Sequence, residues 1–356
     1  MKKVLIIQTA FIGDVILTTP LISRIRESFP QALIDFLTIP SSLNILESNP
    51  DLNQLIIFDK TGRDKGIGGL LRTASRLAKE NYDVCLVPHR SLRSAILAWK
   101  SRAPLRIGFD RSAWKKAFTE IVPYRYNRHE IERNLALLSP LGLETQISAP
   151  SVYATEEDRM VVNEQLNIIE SYKYKHLLAV APGSVWPTKR WPAEKYAALC
   201  RILQDHQIIT LLIGSQEDAA LCRRIGADLR NTLTLAGKLT LRQTYALLTR
   251  CSGVITNDSA PLHLGMAAGT RVFAIFGSTV PAFGFAPFGE KAYIMENTTL
   301  MCRPCTTHGR KTCPLKTFEC MESLQAEAAA DLIVSALYAG SMPDLLKKEN
   351  TRGGAD

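Results

Sequence analysis

Short apolar runs alternate with longer segments of helical period along most of the chain. Lys3 to Gln8, with Val4-Leu5-Ile6-Ile7 inside it, reads as a first strand, and an apolar-periodic segment from Val15 to Phe29 reads as a helix. Runs at 33–38, 54–58, 83–88 and 106–109 read as further strands, with helical spacing over 70–80 and 127–141. Residues 142–153 carry few periodic signals and mark a linker, which puts a boundary near 150–172. The alternation then starts again. Strands are expected at 177–181, 208–213, 232–235, 253–255 and 272–276, and helices at 193–204, 239–249 and 323–338. Strand–helix alternation of this kind builds parallel sheets. The pattern predicts an α/β protein of two Rossmann-like parallel-sheet domains facing across a cleft. They span 1–165 and 172–340, followed by a polar tail at 341–356, whose residues 347–356 are expected to be disordered.

Open parallel sheets hold ligands at the carboxyl ends of their strands, so the residues there carry the functional reading. Thr256 to Gly269 is the best marked. Asp258 or Ser259 can cap a helix here, Pro261 suits its first turn, and Gly269 can close it in the left-handed conformation. Free amides and the dipole at such a helix start attract phosphate. His263, within the first turns, can point at the same anion; the plainer reading is a capped helix with one satisfied histidine. After the first strand the chain turns at Gly13 and puts Asp14 at the sheet edge, as a helix cap or as a reactive acid. In the second half, Pro182 to Pro192 follows a strand. Gly183 and Ser184 can bring amides close to an anion there, and Lys189 supplies a cation. Arg90, Arg93 and Arg111 fall in loops after strands, with further basic residues at Lys115, Lys116, Arg125, Arg128 and Arg133. They are either solvated surface or an anion-facing wall.

Composition narrows the partners. A chain of 356 residues exceeds one ordinary core. The net charge of +9 favours anionic partners. No apolar run approaches the ~20 residues of a membrane span, and the N-terminus lacks a signal-peptide core, so a cytoplasmic location is expected. Disulfides are then not expected. Cys85, Cys200, Cys222 and Cys251 are scattered and read as small buried hydrophobes. Cys302, Cys305, Cys313 and Cys320 cluster, with one CxxC; the second pair is six residues apart, wider than in a zinc ribbon. A loop of reduced thiols is the preferred reading. A zinc or iron–sulfur site stays open, and no metal is assigned.

Three motifs now stand in order: Gly13-Asp14, Pro182-Gly183-Ser184 with Lys189-Arg190-Trp191-Pro192, and Asn257-Asp258-Ser259-Ala260-Pro261-Leu262-His263-Leu264. Together they resemble the ADP-heptose:lipopolysaccharide heptosyltransferases, GT-B enzymes of glycosyltransferase family 9, over nearly the whole chain. The segment from Cys302 to Met321 resembles heptosyltransferase II more than heptosyltransferase I. The resemblance implies an acceptor-binding first domain and an ADP-sugar-binding second domain. It implies transfer of L-glycero-D-manno-heptose from ADP-heptose to the heptose of the lipopolysaccharide inner core, with inversion. Heptosyltransferase I or another core-sugar transferase is the alternative within the family. By the same resemblance Asp14 is the general base, Lys189 binds phosphate, and Gly183 and Ser184 belong to a donor loop. Glu217 holds the donor ribose and Leu239 offers backbone atoms to adenine. Asp258, Ser259, Ala260 and His263 form the donor-binding turn. The chain departs from the family's other form at Ser184-Val185, where two threonines stand, so a second hydroxyl is absent here.

A positioned carboxylate that takes the acceptor's proton contributes ~10²–10⁴-fold in rate. The departing ADP gains negative charge, which Lys189 and the amides after Asp258 can stabilise. No DxD pair stands in a metal-holding context, so no essential cofactor is expected. Arg90, Arg93 and Arg111 would meet anionic groups of the lipid-linked acceptor, and charge would draw a monomeric enzyme to the inner membrane surface. Two rival classes fit less well. A nicotinamide dehydrogenase would carry GxGxxG after the first strand, which residues 9–14 lack. A non-catalytic nucleotide- or nucleic-acid-binding module explains the charge but does not require Asp14. The aromatic-interleaved basic strand of single-strand binders is missing, so nucleic acid is not an expected partner.

Overall fold

The computed structural model describes residues 1–144, 146–169 and 172–339, so the expected polar tail lies outside the described residues. Two six-stranded sheets, parallel throughout, organise the chain. The first contains β1 (Lys3–Ile7), β2 (Leu33–Thr38), β3 (Gln54–Ile57), β4 (Val84–Val87), β5 (Leu105–Phe109) and β6 (Glu120–Val122), in the order β3-β2-β1-β4-β5-β6. The second contains β7 (His176–Ala181), β8 (Ile208–Leu212), β9 (Thr232–Thr234), β10 (Gly253–Asn257), β11 (Arg271–Phe276) and β12 (Ala292–Glu296), in the order β12-β11-β10-β7-β8-β9. Read from the opposite edge, the second sheet repeats the order of the first. The register puts Val4 beside both Ile34 and Val84, and Val254 beside both Ala179 and Val272.

The central strands are apolar on both sides because helices cover both sheet faces. Leu5 and Ile7 pack with Leu70, Ala74 and Leu97 on one face of the first sheet. Val4 and Ile6 pack with Val15, Leu21 and Leu135 on the other. Each such side chain contributes roughly 1.5–3 kcal/mol on burial. The latter cluster runs on into the second half through Leu262, Leu264 and Val254. Helix Ile12–Ile16 meets helix Ala260–Ala267 along this junction.

Several elements differ from expectation. The helix expected at 15–29 is two helices, Ile12–Ile16 and Thr19–Ser28. Pro20 cannot donate a helical hydrogen bond, and the Thr18 hydroxyl donates back to the Asp14 carbonyl at 2.7 Å, so the first helix stops and a second begins. The helix expected at 127–141 is Glu130–Ala136 followed by a single turn at Ser139–Leu141, where Pro140 intervenes. The supposed linker is followed by helix Glu156–Leu166. Its capping box is complete: the Thr155 hydroxyl accepts from the Asp158 amide at 3.2 Å, and the Asp158 carboxylate accepts from the Thr155 amide at 2.9 Å. This helix falls in the range assigned to the first domain, yet it packs against helix Leu241–Leu248 of the second half. Strands β6 and β12 were not expected from the sequence.

The shared strand order marks the place where open sheets of this kind hold ligands. In each sheet the order reverses between two central strands, β1 and β4 in one and β7 and β10 in the other, and the crevice outside that reversal is the binding position. The segments leaving those strands are residues 8–14, 88–93, 182–190 and 258–260, which are the motif-bearing stretches.

Candidate active site

A cavity of about 380 Å³ lies between the halves. Phe11, Ile12, Gly13 and Asp14 line it from the first half. Ser184, Lys189, Asp258, Ser259, Ala260 and His263 line it from the second. The acid and the phosphate-binding candidates thus share one space.

Gly13 lies at the expected turn into the first helix, without a positive φ. The reason for a glycine there is proximity: a Cβ at residue 13 would lie 2.9 Å from Cδ2 of His263. Only glycine lets the first half approach the second this closely. Asp14 is not the helix cap; Phe11 holds that position, and Asp14 sits within the first turn. Its half-buried carboxyl is pushed up to about 7, chiefly by burial and then by the charge of Glu130. Backbone hydrogen bonds and Arg90 oppose the shift. Glu130 is buried and accepts hydrogen bonds from the Tyr124 hydroxyl at 2.9 Å and from Arg133 Nη1 at 2.7 Å. Sequence reasoning missed Glu130, because only tertiary packing brings it to bear on Asp14.

The opposite wall is built on the Asp258 carboxylate. Lys189 Nζ donates to its Oδ2 at 2.5 Å and to the Asp258 carbonyl at 3.3 Å, and the Thr279 hydroxyl donates to the same Oδ2 at 2.7 Å. The expectation that Asp258 or Ser259 caps helix Ala260–Ala267 is therefore corrected. Lys189 and Thr279 hold Asp258, and the Ser259 hydroxyl sits 3.3 Å from that of Thr256. No side chain caps the helix, so its leading amides remain donors without a side-chain acceptor. Pro261 does lie in the first turn and Gly269 does close the helix, with φ +65°. Asn257 anchors the wall. Its Oδ1 accepts from the Trp191 amide and the Tyr196 hydroxyl, each at 3.0 Å, and its Nδ2 donates to the Pro182 carbonyl at 2.9 Å. One buried amide thereby ties the end of β10 to the loop that carries Lys189.

His263 is 4% exposed, and burial pushes its pKa down to about 3. A neutral ring can meet an anion only as an N–H donor, not as a cation. Its Nδ1 has no hydrogen-bond partner, so the reading of a satisfied histidine is also corrected. Thr307 and His308 complete the cavity. They come from the cysteine-bearing loop, which Gly309, with φ +100°, presses against Trp186 and Lys189. The only sequence signal for them was their place in that loop. Cys302, Cys305, Cys313 and Cys320 are free thiols, and among the described residues no group of three or more His, Cys, Asp or Glu is arranged to hold a metal ion.

Other candidates lie off this wall. Asp218 presses against Gly183, where a Cβ would meet its Oδ1 at 2.3 Å. Glu217 is exposed, with Oε2 accepting from the Ser215 hydroxyl at 3.3 Å, and Leu239 packs on the core. Arg90 lies 4.0 Å over the Tyr124 ring, Arg111 lies 6.0 Å from the Tyr126 ring, and Arg93 is exposed. Gly183, Glu217, Leu239, Arg90, Arg93 and Arg111 do not line the cavity.

Comparison with known proteins places the chain in a family. The model of glycosyltransferase family 9 (heptosyltransferase) matches residues 70–317. Lipopolysaccharide heptosyltransferase 3 of Escherichia coli K12 is 29% identical over 283 residues, 76% of this chain and 81% of that protein. Lipopolysaccharide heptosyltransferase 2 of Salmonella typhimurium is 24% identical over 318 residues, 83% of this chain and 88% of that protein. Among solved structures, a family 9 glycosyl transferase from Veillonella parvula superposes with TM-score 0.85 at 25% identity, covering 95% of this chain and 98% of that one. Escherichia coli ADP-heptose LPS heptosyltransferase II shares the fold, with TM-score 0.76 at 22% identity over 96% of this chain and all of that one.

Proposed function

The chain belongs to glycosyltransferase family 9 (heptosyltransferase), and from that premise we propose that it moves L-glycero-D-manno-heptose from ADP-heptose onto the heptose of the lipopolysaccharide inner core. The observation that carries this reading is the single cavity with Asp14 on one wall and Lys189, Asp258, Ser259, Ala260 and His263 on the other. Inversion requires the acceptor hydroxyl to attack from the face opposite the leaving ADP. A base and a diphosphate cradle on opposing walls suit that geometry.

In this reading Asp14, ionised above about pH 7, takes the acceptor's proton. Lys189 and the uncapped Ala260 amide take up the charge that develops on ADP. Gly183, Ser184, Glu217 and Leu239 continue the donor site along the edge of the second sheet, as the domain of residues 172–340. Arg90, Arg93 and Arg111, in the domain of residues 1–165, meet anionic groups of the lipid-linked acceptor. The residues need no added cofactor for these roles, and the enzyme works as a monomer on the cytoplasmic face of the inner membrane.

A transfer assay with ADP-heptose tests the reading, comparing Kdo₂-lipid A with its mono-heptosylated form. Product from the mono-heptosylated acceptor alone supports it, and no transfer to either acceptor counts against it. A second reading, transfer to a later core acceptor, is favoured by the 29% identity to a heptosyltransferase 3 against 24% to a heptosyltransferase 2. Product from a more extended core alone selects that reading.

A further inference from the structure

The surplus positive charge of the chain is confined to one segment. Residues 59–116 hold 14 Lys and Arg against 5 Asp and Glu, a net +9 that equals the net charge of the whole chain; the remaining residues hold 29 of each sign. The fold gathers this segment onto one face of the first sheet. Helices Gly66–Leu77 and Leu92–Lys100 pack against each other and bury Leu70, Ala74, Leu77, Ala95, Leu97 and Ala98 beneath them. The turn Lys115–Ala117 packs against the second helix.

The outward side is basic and apolar at once. Ile67 is 76% exposed and Leu71 50%, four residues apart on the first helix; Leu92 is 52% exposed and Trp99 45%, seven apart on the second. These spacings keep each pair on one helical strip. Arg76, Lys79, Lys100, Arg102, Lys115 and Lys116 are exposed around them. Among the described residues, the segment's cations form ion pairs only at Asp64, with Arg63 and Arg72. Large apolar side chains and unpaired cations thus share this outward side.

We propose that this face docks on a bilayer containing anionic lipid, with the four apolar side chains entering the headgroup region and the cations meeting lipid phosphates. The inference rests on the reading of a lipid-linked acceptor. A bilayer accepts both chemistries at one surface: apolar side chains enter, and Lys and Arg stems lie along the apolar boundary with their charges in the headgroups. The core of a protein interface is depleted in lysine. A single-strand nucleic-acid site needs free aromatic faces, whereas Trp99 has Lys100 Nζ 4.4 Å over its ring and packs edge-on to Trp114 at 5.5 Å. The placement is also productive. Leu92 and Arg93 begin their helix just beyond the carboxyl end of β4, the edge that carries the site, and Phe11, 59% exposed, lines the cavity.

The test is flotation of the full-length protein with phosphatidylcholine vesicles, with and without an equal part of phosphatidylglycerol. Wild type is expected to float only with the anionic vesicles and to be released by high salt. Ile67→Ser with Leu71→Ser, and separately Arg76→Glu with Lys79→Glu, should each lower partitioning at least ~10-fold, on the scale set by several lost apolar or charged contacts. Both variants should keep the wild-type melting temperature and turnover on detergent-dispersed acceptor. Wild type that stays unbound on anionic vesicles overturns the proposal. So do folded variants that float as well as wild type, or tighter binding to single-stranded RNA than to the vesicles. Vesicles contain no acceptor, so this result stands apart from success or failure of the transfer assay.

Discussion

The two halves share one strand order and differ in what they place at its reversal. Around β1 and β4 the first half presents a half-buried acid with an elevated pKa, near cations that include Arg90. Around β7 and β10 the second half presents the uncapped Ala260 amide, the Lys189–Asp258–Thr279 cluster and a neutral His263. The same backbone plan therefore locates two half-sites, and in the function proposed here the loops give one of them the proton and the other the phosphate. On that proposal the close approach of Gly13 to His263 brings together two walls that would each supply part of the reaction's groups.

The contrast can be broken at graded cost. Asp14→Asn keeps the shape but not the base, so kcat is expected to fall ~10²–10⁴-fold; turnover within a few-fold of wild type would remove Asp14 from the chemistry. Lys189→Met deletes a charged donor worth roughly 1.5–3 kcal/mol, so the Kd for ADP-heptose should rise about 10–100-fold by calorimetry. Because that change also strands the Asp258 carboxylate, adding Asp258→Asn should restore the melting temperature but not the affinity. Gly13→Ala forces a Cβ against the His263 ring, with an expected cost of about 1–3 kcal/mol read from denaturant unfolding. An unchanged midpoint would mean the halves separate freely.

Two pH effects sharpen the comparison. Turnover should rise with pH through about 7 as Asp14 ionises. Glu130→Gln removes a charge that helps hold the acid protonated, so this limb should move to lower pH. An unmoved limb would assign it to another group. For stability the sign is opposite to that of a salt-bridged carboxylate. The folded pKa of about 7 exceeds the ordinary value of 3.8, so the unfolded chain ionises first and stability falls as pH rises between the two. Asp14→Asn should therefore melt above wild type at pH 8, with the difference shrinking towards pH 4.

Much of the fold and of the site is legible in the amino-acid sequence, because the chemistry sits where apolar runs end. Asp14, Lys189 and Asp258 each follow a strand that periodicity alone locates. Side-chain pairing is not legible there. Asp258 has the spacing of a cap, and only the fold shows that Lys189 and Thr279 claim its carboxylate instead. Glu130 acts on Asp14 across a long sequence separation that no local pattern encodes. Gly13 reads as a turn residue, while its actual constraint is a histidine from the other half. The helix at Glu156–Leu166 is different: Thr155-Glu156-Glu157-Asp158 is a capping signal in plain sight, outweighed by the weak periodicity around it.

The division of labour is tested most directly by titrating ADP into Asp14→Asn and Lys189→Met side by side. The expected result is a Kd within about twofold of wild type for the first and at least ~10-fold weaker for the second, as loss of a charged contact implies. Equal affinities in the two variants, or weakened binding in Asp14→Asn alone, would contradict the assignment of proton and phosphate to opposite halves.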